Sequence, residues 1–199
     1  MKNTDFITGL AEYFRDEFAE HITVAQATSE GLFLPFQKLL ETCVNSVQAG
    51  HKILFFGNGG SAADAQHLAT ELTVRFKKNR PAIPALALTT DTSTLTAIGN
   101  DLGFEQLFAR QIEAIGQPGD VALGISTSGR SPNVILALKV AREKGLKTAA
   151  FTGQYEEDLR DCADIILAVP SQTTSRIQEM HITLGQMLCG ALESSLGLV

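Results

Sequence analysis

Two Ser/Gly-rich turns, Gly57-Asn58-Gly59-Gly60-Ser61 and Ser126-Thr127-Ser128-Gly129-Arg130-Ser131, each follow a short apolar run and precede a helix-favouring stretch. Turns of this kind can hold an anion. A helix N-terminus presents unpaired backbone N–H groups and a partial positive charge. Glycine lets the backbone approach a ligand, and hydroxyls add donors without adding charge. In the second turn Ser126, Thr127, Ser128 and Ser131 cluster where one hydroxyl would suffice to cap the helix. A hydroxyl-rich, lysine-free cradle suits a monophosphate held as a handle while chemistry proceeds elsewhere on the molecule. No Gly-Lys-Ser/Thr occurs, which argues against a nucleoside-triphosphate loop. Gly57-x-Gly59-x-x-Ala62 matches a relaxed dinucleotide fingerprint, but Asp91 comes later than the acidic residue such a site needs about 20 residues on.

The helix after the first turn carries His67 and Glu71, four residues apart and so on one face. Such a pair can bind a metal or transfer protons; in an arbitrary context it is a surface ion pair. Its place roughly two turns beyond a phosphate loop favours the functional reading. Arg176-Ile177-Gln178-Glu179-Met180-His181 near the start of the last helix is a third polar element, and Asn100-Asp101 is a turn able to place a carboxylate near a ligand.

These residues need a scaffold, and the chain reads as an α/β fold. Short apolar runs at Lys52–Phe56, Ala85–Leu88, Val121–Ile125, Thr148–Phe151 and Ile165–Val169 read as strands buried on both faces. Helical stretches at Ala62–Arg75, Ser93–Gly99, Phe104–Ala114, Asn133–Lys144 and Ser175–Leu196 alternate with them. The alternation predicts a doubly wound, mostly parallel sheet of about five strands, with ligands beyond the carboxyl ends of the strands. Before it lies a helical arm. Phe6, Leu10, Tyr13, Phe14 and Phe18 form one apolar stripe, and Pro35 opens a second helix running to about Ala49, with Gly50 as the stop. Residues 1–199 thus form one domain, an arm over 1–50 and a core over 51–199. The stripe suits packing on the sheet or on another subunit.

Composition narrows the class. Hydrophobic residues make up 44% and charged residues 19%, enough for a real core in a globular protein. The net charge of −6 argues against nucleic-acid or acidic-membrane binding. The basic cluster Arg75-Phe76-Lys77-Lys78-Asn79-Arg80 reads as a solvated helix end complementing the dipole, with guidance of an anionic substrate as the lesser reading. Cys43, Cys162 and Cys189 are odd in number and widely spaced, which fits a reducing compartment and argues against a cysteine zinc site. Cys43 and Cys189 read as core fillers. Met1–Asp5 begins no signal-peptide core and no apolar run is long enough to span a membrane, so the expected location is the cytoplasm.

Taken together, GNGGSAADAQH at Gly57–His67, GND at Gly99–Asp101, GDVALGISTSGRSPNV at Gly119–Val134 and RIQEMH at Arg176–His181 resemble the sugar isomerase (SIS) domain and, within it, the phosphoheptose isomerases. The resemblance covers nearly the whole chain. It implies conversion of sedoheptulose 7-phosphate to D-glycero-D-manno-heptose 7-phosphate for lipopolysaccharide, in a cytoplasmic homotetramer with sites at subunit contacts and often with zinc. It also implies roles. Asn58, Gly59, Gly60 and Ser61 face the sugar; Ser126, Thr127, Ser128 and Ser131 hold the phosphate; Asn100 and Asp101 contact sugar hydroxyls. His67, Glu71, Gln178 and the position of Gln186 would ligate the metal, with Glu71 and Gln178 also touching substrate. Glu71 is the expected base, moving a proton between C1 and C2 through an enediol.

One position departs from that pattern. Eight residues after Gln178 the family places a histidine that ligates zinc and acts as acid–base partner; here it is Gln186. An amide carries no proton near neutral pH and is a poorer zinc ligand than imidazole. His181 points roughly 140° around the helix from that position and does not replace it. Arg130 also departs, standing where asparagine is more usual, and its charge can tighten the phosphate loop. The expectation is an isomerase, slow or poor in zinc. The alternative is a non-catalytic SIS protein resembling a tetrameric relative that binds the initiator DnaA, which shares the missing histidine and the stretch Leu95-Thr96-Ala97-Ile98. That relative tends to lose the helix glutamate and to alter both loops, whereas Glu71, Gly60 and Ser128 are present here.

Overall fold

The computed structural model describes residues 3–199, without the side chains of residues 3–6 and 8. Met1 and Lys2, and of the apolar stripe the side chain of Phe6, therefore lie outside what the structure describes. Two helices come first, α1 (Asn3–Gly31) and α2 (Phe33–Gln48). Then follow β1 (Ile53–Gly57), α3 (Gly60–Thr73), β2 (Ala85–Ala87), α4 (Thr92–Asp101), α5 (Ala109–Ile115), β3 (Val121–Ser126), α6 (Pro132–Glu143), β4 (Lys147–Thr152), β5 (Ile165–Ala168) and α7 (Thr174–Ser195). The five expected strands are all present, in one parallel sheet of order β2-β1-β3-β4-β5.

Side-chain alternation along the strands sorts the core into two layers. Ile53, Phe55, Leu123 and Phe151 face one side, with α2, α3 and α7; Leu54, Phe56, Ala122 and Ala150 face the other, with α4, α5 and α6. Every residue of β1 and β3 is buried, as strands covered on both faces must be. The order has a consequence for function. From β1 the chain moves outward to β2, and from β3 it moves the opposite way to β4. The carboxyl ends of β1 and β3 therefore flank the topological switch point, the crevice where ligands of such sheets bind.

Two local expectations change. The helix expected over Phe104–Ala114 divides into a 3₁₀ turn at Phe104–Gln106 and α5. Between them Leu107 and Phe108 dock into the core, Phe108 tilted against Phe56 at 5.5 Å between ring centroids. Filling that core outweighs keeping one regular helical phase. The basic cluster is not wholly solvated either. Arg80 folds back under α3, its side chain fully buried against Glu193 at 2.8 Å. It still serves the helix end, donating through Nη1 to the Leu72 carbonyl at 2.6 Å and through Nη2 to the Glu71 carbonyl at 2.8 Å.

The arm lies along α7. Arg176 of α7 reaches Glu17 of α1 at 3.0 Å and Glu179 at 2.9 Å, and His21 of α1 meets Glu179 at 2.7 Å. On α1 a row of large apolar side chains, Leu10, Phe14, Phe18 and Ile22, stays exposed. All three thiols are buried. Burial pushes the Cys43 and Cys189 thiols up to about 12, so both remain protonated packing groups.

Candidate active site

The two Ser/Gly turns emerge side by side, because Gly57 of β1 pairs in register with Ile125 of β3. Each runs straight into a helix. Gly59 is the N-cap of α3 and Ser131 the N-cap of α6, and neither makes a side-chain cap hydrogen bond. Two helix N-termini thus meet at the switch point; the Ser61, Ala62 and Val134 N–H groups already bond to backbone carbonyls, and Pro132 has none, which leaves the Gly60 and Asn133 N–H groups to face the crevice. The Ser131 hydroxyl instead meets the Ser126 hydroxyl at 2.9 Å, and Ser128 Oγ stands 3.5 Å from Ser126 Oγ. The hydroxyl cluster is therefore not an elaborate cap. Gly129 sits at φ 66°, where a Cβ would collide with the Tyr155 carbonyl, so glycine is needed to wrap the turn this tightly. The turn is tied down by Gly153 N–H donating to the Thr127 carbonyl at 3.2 Å, and the Arg130 guanidinium lies over the Tyr155 ring at 4.6 Å.

A second cluster lies along the seam of α3 and α7. His67 Nε2 is 3.1 Å from Glu71 Oε1, as the four-residue spacing implied. Gln186 approaches His67 with its amide nitrogen at 3.4 Å from the same Nε2. At the other end of the seam Gly60 touches Gln178, and a Cβ there would collide with the Gln178 amide. So Gly60, His67, Glu71, Gln178 and Gln186, spread over more than 120 residues of sequence, line one seam. Asn100 and Asp101 bond to each other at 2.6 Å, and no hydrogen bond or ion pair among the described residues ties their side chains to the turns or the seam.

Zinc is the metal the resemblance implies, and the donor set does not suit it. A catalytic zinc takes three protein donors drawn from imidazole, carboxylate and thiolate, plus a water. Among the described residues no group of three His, Cys, Asp or Glu stands close enough to hold a metal. The seam offers one imidazole and one carboxylate beside two amides, and the imidazole nitrogen nearest the others already faces Glu71.

His181, the nearby imidazole, is fully buried and unavailable. Its Nε2–H donates to the Thr152 carbonyl at 3.1 Å, while Nδ1 is buried without a partner. Burial drives its pKa down from 6.5 to about 4, against a smaller upward pull from the Thr152 bond. The ring is therefore a neutral structural group. In the unfolded chain it takes up a proton first as pH falls, so stability is lost between about 6.5 and 4, on the order of 3 kcal/mol in full. Urea unfolding of the protein and of His181→Leu at pH 7 and pH 4.5 tests this. The variant's stability should fall less steeply with acid.

Sequence reasoning missed two side chains that shape this region. Asn133, in the first turn of α6, forms a reciprocal amide pair with Asn58. Arg80 supports the carbonyl of Glu71 from below. Asn133 stands within the Gly119–Val134 motif, and an amide directly after the Ser131-Pro132 helix start was the available signal. Nothing local marked Arg80, because its partner Glu193 is 113 positions away.

Comparison with known proteins agrees with this geometry. A family model described as the SIS domain matches residues 14–153. The phosphoheptose isomerase of Paramagnetospirillum magneticum is 56% identical over 184 residues, spanning 92% of this chain and 96% of that one. The solved structure of phosphoheptose isomerase GmhA from Neisseria gonorrhoeae is 44% identical, covers 93% of this chain and 99% of that one, and superimposes with a TM-score of 0.87. That of a phosphoheptose isomerase from Francisella tularensis is 35% identical, covers 92% and 98% respectively, and has a TM-score of 0.89.

Proposed function

The chain belongs to the SIS-domain family and, within it, to the phosphoheptose isomerases, and from that premise we propose how its residues divide the work on sedoheptulose 7-phosphate. The observation that carries the reading is the uncapped hydroxyl cluster of Ser126, Ser128 and Ser131 at the switch point, beside a seam that holds a glutamate. The C7 phosphate sits on the second turn, against the α6 N-terminus, with Thr127 as a further donor. The chain of the sugar then runs toward the first turn, with Gly59, Gly60 and Ser61 at its wall and Asn100 and Asp101 reaching its hydroxyls. Glu71 takes a proton from C1 of the ketose and returns it to C2 of the enediol, giving the aldose. The enediol oxygens need donors and acceptors that follow their changing charge. Gln178, His67 and Gln186 serve there, His67 as the only one of the three that can carry a proton.

No step in this scheme passes through a metal. His67 and Glu71 would hold zinc only weakly, and the scheme does not require it. The exposed apolar row on α1 supports assembly through the arm into a homotetramer whose sites are completed at subunit contacts. We place the enzyme in the cytoplasm, supplying heptose for lipopolysaccharide. Among the described residues no helix is long and apolar enough to cross a membrane. A non-catalytic role as a DnaA-binding protein is not favoured, since the relatives matched over nearly the full chain are isomerases by name.

The test is formation of heptose 7-phosphate by the purified tetramer after chelation and after zinc is restored. Turnover should be nearly the same in both, and Gln186→His should bind zinc more tightly by metal analysis. An inactive protein under both conditions would overturn the isomerase reading; activity only with zinc would overturn the metal-free scheme.

A further inference from the structure

The amide pair between Asn58 and Asn133 joins the two functional turns directly. Asn58 Nδ2 donates to Asn133 Oδ1 at 2.8 Å, and Asn133 Nδ2 donates back to Asn58 Oδ1 at 2.9 Å. Asn133 is only 1% exposed, while Asn58 is half-buried. The pattern is self-consistent: turning either amide alone would oppose two donors and two acceptors, so the pair holds only in its reciprocal form. A buried amide left without partners keeps its full desolvation penalty, which gives each side chain a strong reason to hold the other.

The location matters more than the bonds. Asn58 sits in the first turn, two residues before α3 begins, and α3 carries His67 and Glu71. Asn133 sits in the first turn of α6, two residues after Ser131 of the hydroxyl cluster. β1 and β3 are paired only as far as Gly57 and Ile125, so beyond that point no backbone ladder holds the turns together. Among the described residues no other side-chain hydrogen bond links the 57–61 turn to the 126–134 segment.

We propose that Asn133 is a positioning residue, which through its amide pair with Asn58 sets the distance between the phosphate cradle and the helix that bears the base. The inference rests on the isomerase reading above, in which the phosphate is anchored on one turn while the reacting carbons lie near the other. Asn58 then acts on the sugar chiefly by holding the turn, since its amide is engaged with Asn133. A substrate gripped at C7 and reacted at C1 and C2 is sensitive to that distance, and a misplacement of about 1 Å can cost on the order of 100-fold in rate. Inorganic phosphate is not sensitive to it, because it needs the second turn alone.

The experiment is a double-mutant cycle on the full-length protein with Asn58→Ala, Asn133→Ala and the combined variant. Each is assayed for kcat/KM on sedoheptulose 7-phosphate, and calorimetry measures binding of sedoheptulose 7-phosphate and of inorganic phosphate. The expected result is a loss of ~10- to 100-fold in kcat/KM for either single variant and no greater loss for both together, because a pair broken once cannot be broken again. Inorganic phosphate should bind all variants within about threefold of the parent by the same reasoning. A merely structural role would weaken both ligands together. The inference is overturned if Asn133→Ala keeps nearly full kcat/KM, if the two losses multiply, or if inorganic phosphate binding falls in parallel. Should the parent protein lack turnover, the isomerase reading fails by itself. The pair is then judged by the ratio of sugar phosphate to inorganic phosphate affinity, which Asn133→Ala should lower.

Discussion

Glu71→Gln is expected to reduce turnover of sedoheptulose 7-phosphate by about 10³-fold, within the 10²- to 10⁴-fold that general acid–base catalysis contributes. Binding should change little. The substitution is nearly isosteric, and the amide oxygen can still accept from His67, whose Nε2 lies 3.1 Å from Glu71 Oε1. The backbone at this position is held independently, since the Glu71 carbonyl receives Arg80 Nη2 at 2.8 Å. Loss of the carboxylate therefore removes the proton acceptor and leaves its surroundings in place. Steady-state kinetics should show the fall in kcat with KM nearly constant, and calorimetry should show the ketose phosphate still bound. Exchange of solvent deuterium into C1 should stop with turnover. If the variant keeps a tenth or more of the parent rate, another group is the base.

The second large effect is on stability. Glu193→Ala should cost about 3–5 kcal/mol, because it strands the Arg80 guanidinium in the core without its counter-charge. Both side chains are essentially inaccessible to solvent. Glu193 also accepts from the Phe76 N–H at 2.9 Å and the Lys77 N–H at 3.4 Å, and both bonds are lost with the carboxylate. The loss is a large share of the roughly 5–15 kcal/mol that keeps a typical domain folded. For a chain of this size it corresponds to a fall in Tm of roughly 6–20 °C. Glu193→Gln keeps an acceptor and should fall less. A change under about 3 °C for Glu193→Ala would show that the pair is dispensable. The pair sits at the carboxyl end of α3, so partial unfolding there should also slow catalysis by loosening Glu71.

These two residues mark the difference between what local pattern reveals and what it conceals. Glu71 was legible because its significance lies in spacing. It stands four residues from His67, on a helix launched from a glycine turn, and all three facts are written within fifteen positions. The hydroxyl cluster was legible for the same reason, and so were the five strands, whose apolar runs end at turn residues. Glu193 was not. On its own helix it reads as one more acidic residue near an end, and only the return of the chain after α3 brings Arg80 beneath it. Asn58 and Asn133 belong to the same class. Each was seen in its motif, but their pairing depends on β1 and β3 lying adjacent, which no short-range signal encodes. The helix expected over Phe104–Ala114 erred in the opposite direction, since helical propensity was read correctly and core docking of Leu107 and Phe108 overruled it.

Sequence by itself thus determined the α/β class, the two anion-ready turns, the His67–Glu71 face and the amide at position 186. Those are properties of residue type and spacing within one or two turns of chain, where steric and hydrogen-bonding preferences act directly. Tertiary structure alone decided that the turns adjoin at the switch point, that Gln178 and Gln186 meet α3, that Asn133 pairs with Asn58, and that Arg80 reaches the Glu71 carbonyl. Such contacts arise only when crossovers bring distant segments together, and their energy is realised in the buried, water-free seams that packing creates.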